Sequence, residues 1–335
     1  MSRLNRRDFL SFSALAGAGV FLAPSILRAG GGDAGARKKV LFFTRSSGFP
    51  HPVVTRKAGE QYAFAERTLM EFGGKAGYDV TVTKDGTVFT KDGLAQFDAI
   101  AFYTTEDLTT TNAKGPKDDQ VPPMPKDGKQ TLLDFIAAGK GFFGFHCASD
   151  TFHSAKRPSV DTQLLKEEKV EDVRDPYIKM IGGEFAGHGA QMKARMKVAS
   201  KAFPGLEDLQ DFEMNEEWYN LKSLSDDLHV ILVQDTASMN TDPPKPKNPT
   251  DKVNPYAGNG QYKRPPYPAT WAKGYGKGRV FYTSMGHRED VWTSPTFQKV
   301  TLAGLAWATG RTQFDPAPNI AQATPDVVTF PAVKV

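Results

Sequence analysis

The sequence predicts an open, doubly wound α/β fold whose central sheet is mostly parallel. Two observations lead there. Up to Phe145, apolar runs of strand length alternate with segments whose apolar residues recur at helical spacing, the pattern of consecutive βαβ units. Four of the six histidines stand just past the end of an apolar run, at the sheet margin where open α/β folds bind their ligands.

The elements run in order along the chain. Residues 39–45 (KVLFFTR) are a continuous apolar run after a charged start, as expected of a strand buried on both faces. Between 57 and 72 the positions Ala58, Tyr62, Ala65, Leu69 and Phe72 form one apolar stripe, and Gly73-Gly74 supplies a stop, so a helix is predicted over 57–72. Strands are predicted at 78–82, 97–103 (FDAIAFY) and 141–146 (GFFGFH), with a helix at 131–138 ending on Gly139. The second half is less regular. Strands are expected at 191–199, 213–219, 228–234, 269–272 and 279–284, and an amphipathic helix at 296–309 closes the pattern. Two long loops, 112–128 and 241–268, interrupt it, the latter with eight prolines among 28 residues. Loops of that length in a compact domain are lids or surface excursions.

The chain has 335 residues and a formal charge of +4, with four arginines and one aspartate in its first 30 residues. The remainder is close to neutral, which offers no surplus of cations to displace counterions from a phosphate backbone, so a nucleic-acid partner is not expected. Cys147 is the one cysteine, which excludes an intramolecular disulfide and a cysteine-cluster zinc site.

The first 30 residues have the layout of a twin-arginine export signal: Arg6-Arg7, a charge-free run of 13 residues from Leu10 to Leu22, then Pro24 and small residues around Ala29. The run is short of the roughly 20 residues that span a bilayer, so cleavage rather than anchoring is expected. This organisation divides the chain into a signal (1–30), a linker (31–38), a single domain (39–310) and an irregular tail (311–335). The expected location is periplasmic or otherwise extracytoplasmic, reached through the twin-arginine machinery, with no stable membrane anchor.

Residues just after the predicted strands carry the chemistry. They are His51 after the first strand, Glu106 after the third, His146, Asp150 and His153 after the fourth, and His287 after a late one. Histidine titrates nearest neutrality and is the commonest metal ligand, so its concentration on one margin suits proton transfer or metal binding. His188 lies among glycines that let the backbone approach a ligand, whereas His229 lies inside an apolar strand and is expected only to pack. Glu216 and Glu217 alternate across the predicted 213–219 strand, so one faces inward; beside Trp218 and Tyr219 such a carboxylate can act as acid or base, or bind a sugar hydroxyl. Trp271 adds aromatic surface for the apolar face of a sugar. Cys147 lies one place past the apex of an elbow-type turn and is not in register as a nucleophile; the apex position is His146.

These pieces, Gly48-Phe49-Pro50-His51, the 141–150 segment GFFGFHCASD, Gly182-Gly183-Glu184-Phe185 with His188, Glu216-Glu217-Trp218-Tyr219 and Trp271 through Gly286-His287, together resemble the ThuA-like, or trehalose-utilisation, family. The resemblance runs over residues 39–309. It implies a fold similar to class I glutamine amidotransferases, with a flavodoxin-like sheet in which His146 replaces the amidotransferase cysteine. It also implies a part in disaccharide or glycoside catabolism, with keto-sugar intermediates among the substrates.

The leading expectation is an exported carbohydrate-active enzyme, a hydrolase, lyase or isomerase acting on a small sugar derivative. His146, His287 and Glu217 would do the chemistry and Asp150 would orient an imidazole. His51, Glu106, His188, Trp218, Tyr219 and Trp271 would bind substrate, with the 241–268 loop excluding water. A zinc-type divalent metal held by His146, His188, Glu217 and His287 is a second expectation. The alternative from another class is a non-catalytic sugar-binding protein on an amidotransferase-like fold. The two part on whether His146, His287 and Glu217 fall within about 8 Å of one point, close enough to share one substrate.

Overall fold

The computed structural model describes residues 36–154, 174–246, 248, 250–327 and 329–330. The predicted export signal and most of the 31–38 linker lie outside the described residues, as does part of the 311–335 tail. No helix among the described residues is long and apolar enough to cross a membrane.

The first half builds β1 (Lys38–Phe43), α1 (Phe64–Lys75), β2 (Tyr78–Thr83), α2 (Lys91–Ala95), β3 (Ala99–Phe102), α3 (Gly128–Ala137) and β4 (Gly141–Phe145). The second half adds α4 (Pro176–Ile181), β5 (Glu184–His188), β6 (Met192–Val198), β7 (Phe212–Glu216), β8 (Tyr219–Lys222), β9 (His229–Asp235), β10 (Tyr267–Tyr275), β11 (Gly278–Thr283), α5 (Glu289–Thr293), α6 (Pro295–Ala308) and α7 (Ile320–Ala323). Nine strands form one sheet in the order β2-β1-β3-β4-β11-β10-β9-β6-β7, and β5 pairs with β8 in a separate two-stranded sheet. From β2 to β11 every pairing is parallel; from β11 to β7 every pairing is antiparallel. The uninterrupted apolar runs of β1, β3 and β4 occur because neighbouring strands and covering helices bury both faces.

Alternation along β4 shows the two covering layers. The Phe142 ring lies 5.9 Å from that of Tyr177 in α4. Phe143 points the other way, stacking on Phe281 at 4.8 Å beneath α6. That approach requires Gly304, since a Cβ there would stand 2.7 Å from both phenylalanine rings.

Two departures from the predicted elements shape the site. The helix predicted over 57–72 starts at Phe64 instead, because buried Glu66 accepts the Ala63 N–H at 2.7 Å and is clamped by Arg56 at 2.9 Å and by the Thr44 hydroxyl at 2.5 Å. The preceding residues are thereby committed to a loop. The strand predicted over 213–219 is broken at Glu217-Trp218: β7 ends in the large sheet and β8 begins in the small one. Side-chain hydrogen bonding enforces the break, since Glu216 accepts the N–H of the next residue at 2.7 Å and Trp218 donates its indole N–H to the Met192 carbonyl at 2.9 Å.

The stretch after Gly310 is laid over β9 and its neighbours. Phe314 packs on Phe203 with ring centres 5.1 Å apart, and Asn319 bonds both the N–H and the carbonyl of Val230. His229 is a packing residue as expected, held by the Ala317 carbonyl and the Ser200 hydroxyl, each at 2.8 Å.

Candidate active site

The site is built where β1, β4 and β11 end and where the small sheet meets them. His146 comes directly after β4 and opens a 3-10 turn, His146–Asp150, with φ +40°, a left-handed conformation uncommon for a side chain larger than glycine. It is held there by its neighbours. The Tyr282 hydroxyl donates to its carbonyl at 2.8 Å, and its Nδ1 lies 2.8 Å from the Ser284 carbonyl at the end of β11. A carbonyl can only accept, so Nδ1 carries the proton and Nε2 presents a lone pair.

That lone pair faces His287 Nδ1 at 3.2 Å and Glu217 Oε2 at 3.6 Å; His287 Nδ1 and Glu217 Oε2 are themselves 3.1 Å apart. His51 completes the group, its ring centre 5.1 Å from that of His146 and 5.2 Å from that of His287. His51, His146, Glu217 and His287 each bring one ligating atom into a set whose members all lie within 4.8 Å of one another.

The backbone carrying His287 is fixed as firmly. Gly286 adopts φ +125°, which a side chain would strain. Its carbonyl receives the Tyr103 hydroxyl at 3.1 Å and the Trp292 indole N–H at 2.7 Å. Buried Glu216 accepts the N–H groups of Gly286 and His287 at 2.7 and 3.0 Å. Glu216 therefore positions the loop, while Glu217, released from the strand by the break, reaches the imidazoles.

Electrostatics separate the roles further. Burial lowers His146 to about 4, so its ring is neutral at neutral pH. Burial, with the adjoining imidazoles, also drives His51 well below the ordinary histidine value. Burial works against ionisation of Glu217, but the adjoining imidazoles, with His287 donating a hydrogen bond at 3.1 Å, outweigh it and hold the carboxyl well below the usual carboxylate range. Glu216, by contrast, is raised by burial to about 7. The Cys147 thiol is pushed well above its usual value by burial and is inert by both position and chemistry.

The small sheet forms the outer wall. β5 and β8 pair His188 with Tyr219. Tyr219 lies against the His146 ring with centres 3.9 Å apart, and its hydroxyl is 3.2 Å from His51 Nε2. Phe185 packs on Tyr219 at 4.3 Å. His188, its side chain 44% exposed, approaches Glu217 Oε1 at 3.4 Å and donates from Nδ1 to the Gly189 carbonyl at 2.9 Å. The end of the proline-rich loop anchors beside it: Tyr262 accepts the Gly189 N–H at 2.8 Å, and Asn259 accepts that of Ala190 at 2.8 Å.

The structure thus brings His51, His146, His188, Glu217, Tyr219 and His287 together. Four expected residues lie elsewhere. Trp218 and Trp271 are fully buried, and the indole N–H of Trp271 bonds the Ile181 carbonyl at 2.8 Å, so both are core residues and not sugar platforms. Asp150 orients an imidazole, but that of His153, at 2.8 Å, because the 3-10 turn carries its carboxylate past His146. Glu106 falls in this second group, 3.8 Å from His153. His188 meets the outer oxygen of Glu217, which leaves His51 in its place among the converging ligand atoms. Phe185 was not legible as a site residue, since it takes part through a strand pairing the sequence disguised as a glycine turn; Glu216 stood out only as one of an alternating carboxylate pair, and its part is played through main-chain hydrogen bonds.

The site is a cluster of imidazoles and a carboxylate at the margin of the parallel strands, with His146 at the turn directly after β4. Residues 39–308 match the ThuA family, described as trehalose utilisation, and the chain belongs to that family. Among solved structures, a ThuA-like protein from Bacteroides uniformis is similar over 83% of this chain and 94% of its own, at 16% identity and a TM-score of 0.52. Another ThuA-like protein, from Parabacteroides merdae, is similar over 85% and 95% respectively, at 16% identity and a TM-score of 0.49. No curated protein matches the sequence.

Proposed function

We propose that this protein is an exported enzyme of disaccharide or glycoside catabolism that moves protons on a small sugar derivative, with keto-sugars as the favoured class. The observation that carries this reading is the convergence of His146, His287 and Glu217, whose reactive atoms lie 3.1 to 3.6 Å apart at the sheet margin. The family's link to trehalose utilisation supports a carbohydrate, and a flavodoxin-like, doubly wound reading of the parallel half supports a site at the carboxyl ends of its strands.

A neutral imidazole and an ionised carboxylate facing the same point can take a proton from a hydroxyl, or from a carbon beside a ketone, and return it to a neighbouring atom. In this reading Glu217 receives the proton and the imidazole of His287 relays it. His146 fixes the geometry through Ser284. His188, on the exposed rim, meets substrate hydroxyls, and half-buried Phe185, packed on buried Tyr219, offers an aromatic wall. Export through the twin-arginine route would place the activity outside the cytoplasm. Recovery of an uncleaved precursor from the cytosolic fraction would refute that part.

The test is turnover of a panel of disaccharides and their 3-keto derivatives by the purified protein and by His146→Ala. The proposal expects conversion of at least one compound and its loss in the variant with the fold retained. Binding of sugars without conversion would favour the non-catalytic sugar-binding alternative, and an unchanged rate in His146→Ala would remove the assigned chemistry.

A further inference from the structure

The imidazole and carboxylate cluster has an imbalance that hydrogen bonding within the protein does not relieve. His146 Nε2 carries a lone pair, because Nδ1 gives its proton to Ser284, yet it faces a carboxylate oxygen 3.6 Å away. A single ring proton, that of His287 Nδ1, stands between two acceptors at 3.2 and 3.1 Å. His51 is 3% exposed, and among the described residues its Nδ1 has no hydrogen-bond partner. Leaving a ring nitrogen buried and unpaired is costly, and the natural way to satisfy converging lone pairs beside an anion is a cation.

The spacing fits one. Ligands about 2.0 to 2.1 Å from a tetrahedral ion lie about 3.3 Å from each other. The three separations among His146 Nε2, His287 Nδ1 and Glu217 Oε2 are 3.2, 3.6 and 3.1 Å. The Ser284 carbonyl on the remote nitrogen of His146 is the usual outer partner of a metal-bound imidazole, fixing both tautomer and ring orientation. From this geometry we infer that His51, His146, Glu217 and His287 bind one divalent transition-metal ion of the zinc type. Three imidazoles and one carboxylate suit a borderline cation better than calcium or magnesium, which prefer all-oxygen shells.

The inference concerns the same site as the proposed sugar chemistry and rests on that reading only for the ion's purpose; binding is tested without substrate. The full purified chain is analysed for metals, stripped with a chelator, and titrated calorimetrically with Zn²⁺ and with Mn²⁺ alone. The same titration is run on His287→Ala, on His287→Gln should alanine disturb folding, and on His51→Ala, His188→Ala and His153→Ala. One equivalent is expected to bind and to raise the melting temperature of the stripped protein. Affinity should fall by at least about 100-fold on loss of His287, fall measurably on loss of His51, fall less without His188, which touches the outer oxygen of Glu217, and stay unchanged without His153. No binding by the stripped protein, or binding lost in His153→Ala but kept in the His287 variants, would overturn the site. Metal bound with no sugar converted would sink the enzymatic proposal and leave this one standing.

Discussion

Two groups of imidazoles and carboxylates begin at the end of β4, and they differ in how their charges are met. Around Glu184 the donors suffice. His153 approaches at 3.0 Å, the Ser154 hydroxyl at 2.9 Å and the Lys222 ammonium at 3.5 Å, and His153 turns its other nitrogen to Asp150. Burial opposes ionisation of Glu184, but these partners hold its carboxyl below the usual value. Around Glu217 the neighbours are imidazoles, one of which, His146, is neutral with its lone pair directed inward. The first group is complete as it stands and ties β5 and β8 to the turn after β4. The second is complementary to something external, a cation or a reacting sugar, and a site that must bind is expected to keep such an imbalance.

The comparison breaks first at His146. Its alanine variant should lose about 10²- to 10⁴-fold in turnover while melting cooperatively, because His146 positions the Glu217 and His287 pair whose acid–base work contributes that much to the rate, and the turn is held by other groups. Rates and thermal melts of the same preparation check it, and an active variant would move the chemistry elsewhere. Glu184→Gln should do the reverse. Removing one partner from a buried ion-pair network costs about 3 to 5 kcal/mol, so denaturant unfolding should shift markedly while activity per folded molecule is kept.

A third measurement sharpens the contrast through pH. In the metal-free protein, burial holds His146 at about 4, whereas an unfolded imidazole titrates near 6.5. Between those values the unfolded chain binds more protons, so this residue makes stability fall as pH drops from 6.5 to 4, by on the order of 3 kcal/mol. Glu216, raised to about 7, works in the opposite sense, adding stability at acid pH that is lost as pH rises from 4.5 through 7. Melting curves of the wild type and of His146→Ala, taken from pH 7 to 4, isolate the first contribution: the variant should show the shallower acid loss. An identical slope would mean that His146 is not held neutral. The smallest effect is expected at the exposed rim, where His188→Ala should raise KM by about 10-fold or less with kcat nearly constant, the signature of binding shared by ground and transition states.

The apolar runs of β1, β3 and β4 and the stripe of α6 were fixed by local pattern, and with them the parallel half of the sheet and the margin holding His51, His146 and His287. A strand buried on both faces must be apolar throughout, and in a parallel sheet the residues after each strand emerge at one shared edge. The sequence also kept His229 and Cys147 out of the chemistry, one by its place inside a strand and the other by register. It could not decide which side chain replaces a main-chain partner. Glu216 and Glu217 look like one alternating pair on one strand, yet Glu216 captures three backbone N–H groups, two of them from Gly286 and His287, some 70 residues away in sequence, and so turns Glu217 into the site. Trp218 and Trp271 read as binding surface until tertiary carbonyls claimed their indole N–H groups, whereas Asp150 met His153 rather than His146 through the local 3-10 turn. Periodicity reports which face of an element is buried, but a hydrogen bond between distant segments exists only once the chain has closed on itself.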